Sequence, residues 1–108
     1  MYTGERFMNI EILPKEYERQ LNWNDANFYC ELLIVDGKSD WRLPTEEELM
    51  KICKSKNDLR DVFYWSSTED DDGVGLWSDC AYSLYFPAKQ CIPNKKFEKF
   101  FIRPIRNI

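Results

Sequence analysis

Asp40-Trp41-Arg42-Leu43-Pro44-Thr45-Glu46-Glu47-Glu48-Leu49 joins a loop to a helix, and this stretch organises the rest of the chain. Thr45 followed three residues later by Glu48 is a capping box. The hydroxyl accepts from the Glu48 amide, and the carboxylate reaches back to the Thr45 amide. A helix therefore starts here, with Leu49, Ile52 and Cys53 as its apolar stripe to about Lys56. Arg42 sits close enough in sequence for Glu47 or Glu48 to hold it as a structural ion pair. Trp41 is expected as a core anchor.

Upstream, Trp23, Ala26, Cys30, Leu33 and Ile34, with Phe28 fitting less well, recur at three- and four-residue steps, predicting a first helix over 23–35. Asn22 or Asn24 supplies its N-cap and Asp36-Gly37 its stop. Before it, Phe7 to Leu13 alternates as a strand, with Met8, Ile10 and Ile12 on one face, Asn9 and Glu11 on the other, and Pro14 at its end. Downstream the pattern is all strand and loop. Tyr64-Trp65-Ser66-Ser67-Thr68 reads as a short strand, with Trp65 a second core anchor, and Glu69 to Gly75 as an exposed acidic loop. From Leu76 the alternation returns, with Cys80, Tyr82, Leu84 and Phe86 opposite Ala81, Ser83 and Tyr85. A turn at Pro87-Ala88 would pair Cys80 with Lys95 and Cys91 with Leu84. A further strand is expected at about 89–92, and a last one from Phe100 to Arg106 with a bulge at Pro104. The first and last strands have matching apolar faces and are natural partners. The sum is one α+β domain spanning residues 1–108.

Composition narrows the function. With 44 per cent apolar and 31 per cent charged residues, the chain has the make-up of a soluble globular domain. Its aromatic share of 16 per cent is high, and rings of that number can hold together a fold poor in regular structure. The absence of His removes imidazole acid–base catalysis and His-ligated zinc. A net charge of −4 argues against nucleic acid or acidic lipid as a partner. The charge is uneven: residues 1–86 carry 9 basic and 18 acidic side chains, residues 87–108 carry 6 and 1. The opening residues lack a signal peptide's run of about 7–15 apolar positions. No stretch is long enough to insert in a membrane. A cytoplasmic or phage-associated protein is expected, monomeric or oligomeric. Cys30, Cys53, Cys80 and Cys91 lack metal-site spacing; buried free thiols are the favoured reading, with disulfides the alternative.

Four ordered blocks resemble the Lcl C-terminal domain family, which takes its name from a bacterial collagen-like adhesin. They are Trp23-x-x-Ala26-x-x-x-Cys30, Asp40-Trp41-Arg42-Leu43-Pro44-Thr45-x-x-Glu48-Leu49, Tyr64-Trp65-Ser66-Ser67-Thr68 and Arg103-Pro104-Ile105-Arg106. The resemblance implies a C-type-lectin-like fold: two helices against a small twisted antiparallel sheet, with paired N- and C-terminal strands. It also implies a non-catalytic recognition module of bacterial or phage type, whose ligand is a glycan or a protein surface.

The residues expected to contact that ligand are Asp70, Asp71, Asp72, Trp77, Tyr82 and Tyr85, an acidic loop followed by exposed rings. The alternative is a polyanion or sulfated glycan held by Lys89, Lys95, Lys96, Lys99, Arg103 and Arg106. In the plain structural reading of the last two, one arginine is partly buried and the other solvated. A third reading, a thiol-dependent oxidoreductase, would use Cys80 and Cys91. No cofactor is expected: Asp70-Asp71-Asp72-Gly73 offers oxygen ligands to calcium, but without EF-hand spacing a solvated loop is preferred. Trp23-Asn24-Asp25 and Ile92-Pro93-Asn94 match calcium-binding lectin tripeptides in reversed order and are set aside as coincidence.

Overall fold

The computed structural model describes residues 4–7, 9–55, 58–70 and 79–108. In chain order the elements are β1 (Glu5–Phe7), β2 (Ile10–Ile12), β3 (Arg19–Leu21), α1 (Trp23–Leu32), α2 (Glu46–Ser55), β4 (Phe63–Asp70), β5 (Cys80–Tyr85), β6 (Gln90–Lys95), β7 (Phe100–Ile102) and β8 (Ile105–Asn107). They form an α+β domain with two sheets, ordered β1-β2-β8 and β3-β7-β4-β5-β6. Only the β4–β7 pairing among these is parallel.

The capping box forms as expected. The Glu48 amide donates to Thr45 Oγ1 at 3.2 Å, and the Thr45 amide donates to Glu48 Oε1 at 2.8 Å. Leu49, Ile52 and Cys53 pack beneath α2 against Tyr64, Leu84 and Ile105. Asn22 is the N-cap of α1, its side chain accepting from the Asp25 amide at 2.8 Å. Ala26 and Cys30 are the positions α1 buries, against Leu43, Trp65 and Ile102. Trp41 and Trp65 are 3 and 0 per cent exposed, so both anchor the core.

Four sequence expectations need correction. The strand expected over 7–13 is a hairpin, because the chain reverses between Phe7 and its partner Ile10. Met8, one of the expected core-facing residues, lies outside the described residues. Glu11, expected on the solvent face, is buried because Arg106 on the neighbouring β8 pairs with it at 2.9 Å. The first helix ends at Leu32 rather than 35, with Leu33 already extended. Asp36 and Gly37, at φ 54° and 75°, instead make a tight turn closed by reciprocal Val35–Lys38 hydrogen bonds of 3.0 Å. A two-residue turn with positive φ at both positions favours an Asp-Gly pair. Phe28 and Ile34, expected in the core stripe, are 59 and 69 per cent exposed.

The third correction concerns β4, which runs on through Glu69 and Asp70, paired with Ala81 and Cys80, after a register shift. Glu69 and Asp70, expected in the acidic loop, are therefore strand residues, and residues 71–78 lie outside the described residues. The fourth is the C-terminal strand. It divides at Arg103-Pro104 into β7 and β8, which belong to different sheets. Arg103 turns inward at the break, donating from Nε to the Leu13 carbonyl at 2.6 Å.

The β5–β6 register matches expectation: Cys80 faces Lys95 and Leu84 faces Cys91. β6 continues through Pro93 because it is an edge strand, where a missing amide disrupts least. The terminal strands pair as expected, Ile12 facing Ile105 and Glu11 facing Arg106.

Candidate functional site

Alternation along β5 places Tyr82 and Tyr85 on opposite faces of the sheet. Tyr85 shares its face with Phe63, its cross-strand partner on β4. Their ring centroids lie 4.6 Å apart. Phe63 stacks on Phe100 of β7 at 4.7 Å and 20°, and Phe100 meets Trp65 at 4.7 Å. A row of four rings thus runs from the fully buried Trp65 to Tyr85, which is 37 per cent exposed. Each contact falls in the 4.5–7 Å range of favourable aromatic pairs. Trp65 is pinned at the inner end by its Nε1 donating to the Leu21 carbonyl at 3.1 Å.

Polar groups flank the outer end of the row. Gln90, Ile92 and Asn94 on β6 face Tyr85, Ser83 and Ala81 respectively, so they share one surface. Asn94 Nδ2 donates to Ser83 Oγ at 2.7 Å, and Ser83 Oγ donates to the Ile92 carbonyl at 3.3 Å. The result is an aromatic ridge bordered by the Gln90 and Asn94 amides, with Asn94 held from beneath by the buried Ser83 hydroxyl.

On the opposite face, Tyr82 lies with Asp70 and Glu46. The Asp70 charge, with burial and Glu46 adding to it, raises the phenol above its ordinary value. The structure therefore brings Asp70 to Tyr82 but separates both from Tyr85. Asp71, Asp72 and Trp77 lie outside the described residues. Among the described residues no set of acidic, Cys or His side chains groups as a metal site.

The basic set does not form one surface. Arg103 is 2 per cent exposed and pairs with Glu18 and Asp58 at 2.9 and 2.8 Å, so it is interior rather than partly buried. Arg106, expected to be solvated if Arg103 was not, is held by Asp40 at 2.7 Å and Glu11 at 2.9 Å. Lys95 pairs with Asp79 at 3.2 Å; Lys96 pairs with Glu69 at 2.6 Å and lies over the Trp23 ring. Lys89 covers the Phe86 ring, while Lys99 is exposed.

All four cysteines are free thiols. Cys80 and Cys91 are not brought together: Cys91 faces Leu84, four positions along β5 from Cys80, or roughly 13 Å at the usual strand rise. Burial pushes Cys30 up to about 12 and Cys91 up to about 11. Such thiols are poor nucleophiles at neutral pH. A cleft of about 250 Å³ opens between the β1–β2 hairpin and α2, lined among others by Phe7, Ile10, Glu47 and Glu48. Its Glu48 is already committed to Arg42, at 2.8 and 2.9 Å, and to the helix cap. Among the described residues no helix is long and apolar enough to cross a membrane.

A family model, the Lcl C-terminal domain, matches residues 8–106. The chain belongs to the Lcl C-terminal domain family. No curated protein matches it.

Of the rings in this row of the Lcl C-terminal domain, Tyr85 was among the residues expected at a ligand surface, whereas Phe63 and Phe100 were not. Phe63 has the parity of Trp65, and Phe100 that of Ile102, which was the available signal. Nothing local announces that β4 and β7 lie side by side, since their pairing is parallel and joins Tyr64 to Phe101.

Proposed function

We propose that this Lcl C-terminal domain is a non-catalytic recognition module of bacterial or phage type with a C-type-lectin-like fold. Its ligand, a glycan or a protein surface, is contacted through the ridge that ends at Tyr85. The pairing of β2 with the C-terminal β8, the two helices and the small sheets support the fold reading. The observation that carries the function is the ring row itself. Tyr85 is half-way to solvent yet braced by Phe63, Phe100 and Trp65. Binding through such a ring loses little side-chain freedom, and a rigid aromatic anchor is what recognition surfaces concentrate their energy on. Gln90 and Asn94 supply polar groups beside it for specificity.

The polyanion reading has less support, because Arg103 is interior and Arg106, Lys95 and Lys96 already face carboxylates. The test is a screen of the purified domain against neutral glycans, sulfated glycans and peptides at low and high salt, with calcium and with chelator. A neutral ligand whose binding resists salt is the expected result. Binding confined to sulfated ligands, and abolished by salt, would favour the basic set instead.

A further inference from the structure

The ring row leaves unexplained the outer face of α1. Ala26 and Cys30 point into the core, while Phe28 and Leu32, one turn apart on the opposite side, are 59 and 65 per cent exposed. Ile34, just past the helix, is 69 per cent exposed. Single exposed apolar residues are ordinary, but Phe28 and Leu32, four positions apart on one helix face, are neighbours there.

Within α1 the charge has one sign. The helix carries Asp25 and Glu31, both exposed, and no Lys or Arg. Its last turn has no basic residue, so the negative end of the helix dipole is not offset from within the helix. Of the neighbouring cations, Arg19 lies over the Tyr29 ring and Lys38 pairs with Asp36.

We infer that the outer face of α1 is a second docking surface, and that its partner is a basic amphipathic segment: an apolar stripe flanked by Lys or Arg. The apolar stripe would cover Phe28 and Leu32, and the flanking cations would meet Asp25, Glu31 and the helix C-terminus. A second copy docked helix to helix would set two acidic, lysine-free helices against each other, which like-charge repulsion opposes. The same charge repels an anionic lipid surface. This inference does not rest on the ridge at Tyr85.

The test uses two synthetic helical peptides with the same leucine face, one flanked by Lys and the other by Glu, titrated into the domain by fluorescence anisotropy. Phe28→Ser/Leu32→Ser and Asp25→Asn/Glu31→Gln are compared with the unmodified chain. Because Phe28 and Leu32 are largely exposed, the first pair should cost only the modest helix propensity of Ser, and the melting temperature is measured alongside to show that the fold is kept. The Lys peptide should bind, the Glu peptide should not, and Phe28→Ser/Leu32→Ser should weaken binding at least tenfold. Asp25→Asn/Glu31→Gln should flatten its salt dependence. Equal binding by Phe28→Ser/Leu32→Ser and the unmodified chain, or no preference between peptides, would overturn the inference. So would self-association in sedimentation that the same substitutions abolish, since a second copy would then be the occupant.

Discussion

Glu18 and Arg103 stand 85 positions apart in the chain and meet at 2.9 Å in the interior, their side chains 1 and 2 per cent exposed. The pair is the centre of a wider cluster. Glu18 also accepts from Arg60 Nε at 2.9 Å and from the Tyr64 hydroxyl at 2.8 Å, while Arg103 reaches Asp58 and the Leu13 carbonyl. It ties the 14–18 segment, the start of β4 and the β7–β8 break into one unit. Deleting one partner of such a buried pair leaves the other charge uncompensated, at a cost of about 3–5 kcal/mol. Arg103→Met should lower unfolding stability by about that amount in urea titrations. A loss within experimental error of zero would show that the cluster does not hold the sheets together.

Acid should weaken the link between Arg42 and α2. The Arg42 hydrogen bonds, followed by those from Thr45, hold Glu48 down to about 2 from an ordinary value of 4.5. A lowered folded pKa means that the charged carboxylate favours the folded state. Its contribution is complete above about pH 4.5 and is lost as pH falls toward 2. The melting temperatures of the unmodified chain and Glu48→Gln should therefore differ at pH 6 and converge toward pH 2.5. A gap that stays constant across this range would mean that Glu48 acts through its shape rather than its charge.

The thiols should be sluggish. With burial holding Cys91 near 11 and Cys30 near 12, little thiolate exists at pH 8. Reaction of Cys91 with an aromatic disulfide reagent should be roughly 100-fold slower in the folded than in the urea-unfolded protein. Cys91, the one cysteine not fully buried, should label before Cys30. Rapid labelling of the folded protein would argue for an accessible, activated thiol.

Much of the fold was legible because it rests on local rules. Thr45 and Glu48 declare the start of α2 within four residues, and the turn at Pro87-Ala88 fixes Cys80 opposite Lys95 by counting alone. Tyr85 was legible as a candidate for the same reason. Arg103 was not, because burial of a guanidinium depends on Glu18 and Asp58, 85 and 45 positions away. The chain's change of sheet at Arg103-Pro104, between β7 and β8, was equally hidden. Phe63 and Phe100 belong to the ridge only because a parallel pairing lays their strands together.

The proposed ligand surface is the ring row ending at Tyr85. The direct measurement is the affinity of Tyr85→Ala for whichever glycan or peptide the screen returns, with Tyr82→Ala, on the opposite face, as control. Truncating an anchoring ring costs about 2 kcal/mol or more, so Tyr85→Ala should weaken binding at least tenfold and Tyr82→Ala should leave it unchanged. Full affinity in Tyr85→Ala, with the loss falling on Tyr82→Ala instead, would move the site to the face shared with Asp70.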